Sequence, residues 1–199
     1  MENIMHRFLS NHQGPKGSLG SGVKHRTIDM RFPNVLTPTS TMEFQLSEFR
    51  TVSVPKAVVV FQQWSGPPIA DTYGGKAVLD YAGEPLFAEL VILRQFQSAG
   101  WQGAWMDTYG RRTRISITDD SWLPEEQRVL LDRVAARAGT PHGCFDVFAW
   151  NDNAVVFAEA KRSGQDRIRR SQVRWLSAAL DVGVPLESLL VVEWSLARD

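Results

Sequence analysis

Asp146 opens one apolar segment and Glu159-Ala160-Lys161 closes the next, with Asn151-Asp152-Asn153 between them. Two carboxylates and an ammonium at this spacing suit metal-assisted hydrolysis of a phosphodiester. Phe145 to Trp150 is rich in aromatic and β-branched residues, the asparagines and aspartate are turn chemistry, and the apolar run resumes at Ala154, so the stretch predicts a β-hairpin. Side chains alternate across a strand, which sets Val155, Phe157, Glu159 and Lys161 on one face and Val156, Ala158 and Ala160 on the other. Asp146, Phe148 and Trp150 share a face of the first strand. Pairing Phe148 with Phe157 and Trp150 with Val155 leaves Asp146 opposite Glu159; a slip of one residue would separate them.

Opposed side chains have Cβ atoms about 4.5–5.5 Å apart, so two ionised carboxylates there repel unless a cation lies between them. Magnesium suits the position, with manganese as a substitute: it takes oxygen ligands at about 2.0–2.1 Å, keeps several waters and commonly uses one or two carboxylates. Ala160 can add its backbone carbonyl. Such an ion polarises a phosphate and acidifies water, while the Lys161 ammonium orients that water or stabilises developing negative charge.

Asp146 followed by Glu159-Ala160-Lys161 resembles the PD-(D/E)XK nuclease superfamily, and the flanking text is most similar to its VRR-type branch over residues 84–194. The family's Pro-Asp pair is not intact, since Phe145 precedes Asp146 and Pro141 lies five positions upstream of it. The resemblance implies a restriction-endonuclease-like α/β core: helix, three-stranded antiparallel meander, helix and further strand, holding one or two divalent ions. It implies that Asp146 and Glu159 are metal ligands and Lys161 the catalytic lysine. It also gives roles to Glu89, a metal-site glutamate on the preceding helix, and to Gln172, a glutamine touching the site from the following one.

The elements expected to position these groups follow from periodicity. A helix is predicted over 84–97, with Pro85 in its first turn, Gly100 beyond its end and a stripe of Leu86, Leu90, Leu93 and Phe96. Glu89 falls on that stripe, so it either serves a cation or sits at the stripe's edge with its carboxylate in water. After Ser163-Gly164, Asp166 is placed to cap a helix running to about Val182 with an apolar face of Ile168, Trp175, Leu176, Ala179 and Leu180. Gln172 lies on that face, as a contact to the site or as a rim residue bonded to backbone. Between the first helix and the hairpin, 101–109 and 114–118 read as short strands, and 124–138 as an inserted helix stopped by Gly139. Residues 189–194 supply the last strand, with Glu193 at its edge.

The chain carries 22 basic and 22 acidic residues in 199. Against that balance Lys161, Arg162, Arg167, Arg169, Arg170 and Arg174 crowd fourteen residues with one acid, Asp166. Such a cluster grips phosphate backbones, or else it is a solvated helix face. Cys144 is the lone cysteine, which excludes an intramolecular disulfide and a cysteine zinc cage; a packed thiol is expected. Of the four histidines, His142 alone is near the hairpin. Trp101, Trp105, Trp122 and Trp150 are expected in the core, with base stacking as the alternative.

Residues 1–50, with glycine, serine and proline crowding 14–22, are expected to be a flexible arm. Residues 51–83 read as an extension: a strand over 52–61, confined to an edge or broken by Pro55, then loop over 66–83. Residues 84–199 form the nuclease-like domain. No apolar run reaches a membrane span's length and residues 1–22 lack the centre of a secretion signal, so a cytoplasmic protein is expected. The resulting expectation is a magnesium-dependent nuclease, an endonuclease by choice, with DNA as partner, no membrane, and a homodimer left open. A catalytically silent nucleic-acid-binding module and an RNA-directed nuclease are the alternatives. A metal-free carboxylate-pair glycosidase is disfavoured by Lys161 and the arginines.

Overall fold

A computed structural model describes residues 32–107, 112–140 and 142–197. Among them the chain is a mixed α/β fold with nine strands and three α-helices. The strands are β1 (Ser40–Ser47), β2 (Arg50–Gln63), β3 (Leu79–Tyr81), β4 (Glu84–Leu86), β5 (Gln102–Asp107), β6 (Arg112–Arg114), β7 (Val147–Trp150), β8 (Val155–Arg162) and β9 (Leu189–Leu196). The helices are α1 (Ala88–Ser98), α2 (Glu125–Ala138) and α3 (Arg170–Asp181). One mostly antiparallel sheet runs β4-β3-β2-β9-β8-β7-β5-β6, with β1 also paired to β2. The parallel pairs are β8–β9, joined through α3, and β9–β2.

The predicted hairpin forms in the predicted register: Phe148 pairs with Phe157 and Trp150 with Val155. Asn151 closes it, its side-chain oxygen accepting the backbone N–H groups of Asn153 and Ala154, both at 2.9 Å. Strand alternation then builds two cores. Val147, Ala149, Val156 and Ala158 pack beneath α1 with Leu90, Leu93 and Phe96. Phe148 and Phe157 face the other way, with Trp175 and Leu176 of α3 and Val134 of α2. Their rings stack at 4.3 Å, and Trp175 meets Phe157 edge-on at 4.8 Å.

Several expectations are corrected. The helix predicted over 84–97 begins at Ala88, because Ala82 and Gly83, at φ 52° and 86°, make a two-residue hairpin turn that pairs β3 with β4. Pro85 therefore sits in an edge strand, where its missing N–H is tolerated, rather than in a helix. That hairpin also replaces the last part of the loop read over 66–83. Residues 1–31 lie outside the described ones, but β1 falls within the arm expected over 1–50 and pairs along its length with β2, burying Phe44. Residues 51–83 are no appendage either. β2 is a 14-residue interior strand, and Pro55 stands one residue before β9 joins it at Lys56, where its neighbour is β1 alone.

The strand read over 101–109 is β5, with Thr108 and Tyr109 outside the described residues. The strand read over 114–118 is instead Arg112–Arg114 followed by bends. Arg114 turns inward there, donating from Nε to Asp107 Oδ2 at 3.0 Å and from Nη1 to the Ile117 carbonyl at 3.0 Å. Helix α2 matches its expected span and stops at Gly139, in the left-handed conformation at φ 66°. Helix α3 starts four residues later than Asp166, which accepts the Arg162 N–H at 2.8 Å instead of capping. Glu193 is not at an edge, because β9 is flanked by β8 and β2; it accepts from Lys56 and Ser163, hydrogen bonds that hold its carboxyl below the usual value. Trp101, Trp105 and Trp150 are buried as expected, whereas Trp122 is 94% exposed. Among the described residues no helix is long and apolar enough to cross a membrane.

The stacked pair under the hairpin supports β8 directly. Phe157→Ala should destabilise the protein by about 3–5 kcal/mol, the usual cost of emptying a large aromatic site, read as a lowered denaturant midpoint at unchanged slope.

Candidate active site

Strand β7 ends at Val147, paired with Ala158, while β8 runs on to Arg162. Beyond that last pair β8 is held on its β9 side, with Glu159 beside Val191 and Lys161 beside Glu193. The side vacated by β7 becomes the wall of an open cleft of about 700 Å³. Asp146 stands at its mouth, where the chain enters β7. In a strand a residue's N–H and C=O leave on the same side. The Ala160 N–H donates to Asp146 Oδ2 at 3.0 Å, so the Ala160 carbonyl also faces the vacated side.

The structure brings together the central residues predicted from sequence. Glu159 is 1% exposed and Lys161 8%. Lys161 Nζ donates to Glu159 Oε1 at 2.6 Å, and Gln172 Nε2 donates to the same oxygen. Gln172 also accepts the Arg169 N–H through Oε1 at 2.9 Å, tying the first turn of α3 to the acid. Both donors take one oxygen. Glu159 Oε2 is buried and, among the described residues, is the one such side-chain atom without a hydrogen-bond partner.

Electrostatics sharpen this arrangement. Burial raises the Asp146 carboxyl well above its ordinary value, and the charges of Glu159 and Glu89 push it further the same way. Burial likewise raises Glu159, against the opposing pull of Lys161. The donor chemistry fits a hard divalent ion: carboxylate oxygens of Asp146 and Glu159, the Ala160 carbonyl and an orphaned buried acceptor at Oε2. Among the described residues no three His, Cys, Asp or Glu side chains form a ready-made metal cage.

Glu89 lines the same cleft from the first turn of α1, yet its Oε1 is held by Lys76, a residue that sequence reasoning passed over. Lys76 follows two glycines in a loop without periodicity, and nothing short of the tertiary pairing marks it. The arginines adjacent in sequence divide in space. Arg162 and Arg169 line the cleft, Arg162 lying over the Trp194 ring at 5.3 Å, whereas Arg170 and Arg174 line a separate groove with Asp181. Arg167 is exposed. The described lining of the cleft carries four cationic side chains (Lys76, Lys161, Arg162, Arg169) against four carboxylates (Glu89, Asp146, Glu159, Asp166). His142 is at the rim, and Pro141 is outside the described residues. Cys144 is buried, and desolvation lifts its thiol well above the ordinary value, so it is packing rather than a nucleophile.

Gly143 explains how the loop entering β7 reaches α3. It has φ 91°, and a Cβ there would lie 2.3 Å from the Ser171 carbonyl oxygen. A side chain at Gly143 would push away the turn that carries Gln172.

The chain matches no protein-family model, no curated protein and no solved structure.

Raised carboxyl values have a definite sign. The folded state keeps protons that the unfolded chain releases near pH 4, so their stabilisation is present at acid pH and lost as pH rises through the folded values. In chelator, the melting temperature should fall across that window. Saturating magnesium should offset the fall by about 2.7 kcal/mol at a hundred times its Kd, or about 5–10 °C for a chain of this size. The gap between magnesium and chelator should widen with pH and close in Asp146→Asn, as read by calorimetry.

Proposed function

We propose that this chain is a divalent-metal-dependent nuclease that hydrolyses phosphodiester bonds in DNA, with Asp146, Glu159 and the Ala160 carbonyl holding magnesium or manganese. The observation that carries this reading is the buried, unpartnered Glu159 Oε2, set beside a second carboxylate of raised pKa and a lysine in an open cleft. Two further features support it. The order α1, antiparallel β5–β7–β8, α3, then β9 parallel to β8 is consistent with a restriction-endonuclease-like core, here with β6 and α2 inserted. The resemblance of Asp146 and Glu159-Ala160-Lys161 to the VRR-type PD-(D/E)XK nucleases points the same way.

The bound ion would supply Lewis-acid polarisation of the scissile phosphate and a water acidified for attack. The protein's own groups do the rest. Gln172 and Lys161 fix Glu159 Oε1, so that Oε2 is the free donor; the Ala160 N–H fixes Asp146 Oδ2 in the same way. An ammonium has three N–H donors and Glu159 takes one from Lys161. The others can orient the attacking water and stabilise charge developing on the phosphoryl oxygens. Arg162 and Arg169 line the cleft and can hold a flanking strand by phosphate contacts that carry no sequence information.

The test is incubation with labelled linear, branched and single-stranded DNA, and RNA, in magnesium, manganese or chelator. Metal-dependent cutting should appear and fall by about 10²-fold or more in Lys161→Ala, the scale of one lost electrostatic donor. It should vanish in Glu159→Ala and Asp146→Ala while both remain folded by circular dichroism. Binding without cutting under every metal would instead identify a silent nucleic-acid-binding module, and cutting of RNA alone would identify an RNA-directed enzyme.

The division of the arginines sets a second expectation. Arg169→Gln should lower the slope of log affinity against log salt by about 0.7–0.9, the value of one phosphate contact; Arg170→Gln, facing the other groove, should leave it closer to wild type. Equal slopes in both variants would place the nucleic acid elsewhere.

A further inference from the structure

Lys76 is presented by a loop built for that purpose. Tyr73, Gly74 and Gly75 are successive residues at φ 49°, 81° and 91°. A tyrosine in the left-handed region is strained, and such strain persists where surrounding contacts enforce it. Here they do. The Tyr73 ring packs edge-on to Phe87 at 5.5 Å and Trp105 at 5.7 Å, and its hydroxyl donates to the Ile117 carbonyl at 3.1 Å. Asp71 Oδ1 accepts the Tyr73 N–H at 2.7 Å, and Thr72 Oγ1 accepts that of Gly75 at 3.2 Å.

The outcome is an ammonium on the α1 wall of the cleft, paired with Glu89 and lying 5.0 Å from the Trp105 ring centre. It is also beside the first turn of α1, whose N-cap Phe87 brings no side-chain hydrogen bond. The unfilled N–H groups and helix dipole there favour negative charge. The α1 wall thus joins a lysine to a helix N-terminus, and Arg169 at the start of α3 does the same on the opposite wall. Asp146 and Glu159 lie between. Four cations balance four carboxylates in the described lining, so a bound divalent ion leaves two positive charges in excess.

Resting on the nuclease reading above, we propose that Lys76 is a further substrate-binding residue, which holds the phosphate on the α1 side of the scissile bond while Arg169 holds the one on the α3 side. The substrate class that follows is an internal phosphodiester in a continuous strand, with phosphates on both sides of the cut, rather than a terminal nucleotide. Lys76 keeps donors in reserve for this after Glu89 takes one, and its side chain is 30% exposed to the cleft.

The test is a chemical cycle on a DNA that the wild type cuts. A single neutral methylphosphonate replaces the phosphate one step to either side of the scissile bond, and kcat/KM is measured in magnesium for wild type, Lys76→Met and Lys76→Arg. Each replacement should cost the wild type about ten- to a hundredfold, the range for a lost hydrogen bond to a charged group. Lys76→Met should be equally impaired on the unmodified strand, indifferent to the replacement on one side and still sensitive on the other. Lys76→Arg should regain sensitivity on both sides. Full sensitivity of Lys76→Met at both positions would overturn the assignment, as would a loss of activity that merely follows a lowered melting temperature. Absence of cutting by the wild type under every metal would remove the nuclease reading itself, a result separable from the others.

Discussion

The site depends on β8 outrunning β7. For four residues the two strands pair conventionally, and the apolar side chains of both are buried on the two faces of the sheet. Past Val147 the ladder loses its β7 side but not its β9 side, so β8 stays rigid while one row of its backbone groups is released. The freed N–H of Ala160 takes Asp146, and the side chains of Glu159 and Lys161 stay registered by the same alternation that buries Phe157 two residues earlier. One strand therefore anchors the aromatic core with one half and arms the cleft with the other. A site on the interior strand of a sheet is held more tightly than one on loops, which suits groups that must meet within a few tenths of an ångström.

That placement has a thermodynamic cost that the neighbouring elements absorb. A carboxylate at 1% exposure with one oxygen unpartnered is unfavourable in any apolar surrounding. Removing Lys161 would make matters worse, since breaking a buried charge pair typically costs about 3–5 kcal/mol. Lys161 and Gln172 reduce the penalty, and the reach of Gln172 depends on the close approach at Gly143. The same glutamine accepts the N–H of Arg169 at the helix start. A helix terminus and a buried acid thus share one amide, and neither can move without the other.

What was legible in the sequence follows from which interactions are local. The hairpin, its register, the Leu90, Leu93 and Phe96 stripe of α1, the span of α2, the end of α3 and the last strand are set by alternation, turn chemistry and helical periodicity, all readable within a dozen residues. Asp146, Glu159, Lys161 and Gln172 could be placed because they ride on those elements. Some of the misreadings involve partners distant in sequence. β1 is not one of them: it alternates Met42, Phe44 and Leu46 with polar residues and pairs with the adjacent β2, a legible pattern that the glycine-rich stretch before it obscured; β2, by contrast, is interior because β9, more than 130 residues later, lies beside it. Asp166 resembled a cap, but the Arg162 N–H competed for it. Lys76 had no local signature whatever, since its position comes from Tyr73 wedged among aromatics of α1 and β5. The arginine cluster shows the converse: contiguity in sequence did not survive folding, because the start of α3 turns Arg169 towards the cleft and Arg170 away from it.

Charge balance ties these parts together. Lys161 answers Glu159 and Lys76 answers Glu89, which leaves Asp146 facing like charges on two sides, offset in part by the Lys161 charge and the Ala160 N–H. The cleft is lined by both acids, with the unpartnered Glu159 Oε2 backed by the two apolar cores on either face of β8. The repulsion between these two buried acids, framed by β8, is the feature on which the proposal of a bound divalent ion rests, because such an ion could meet both carboxylates while leaving part of its shell exchangeable.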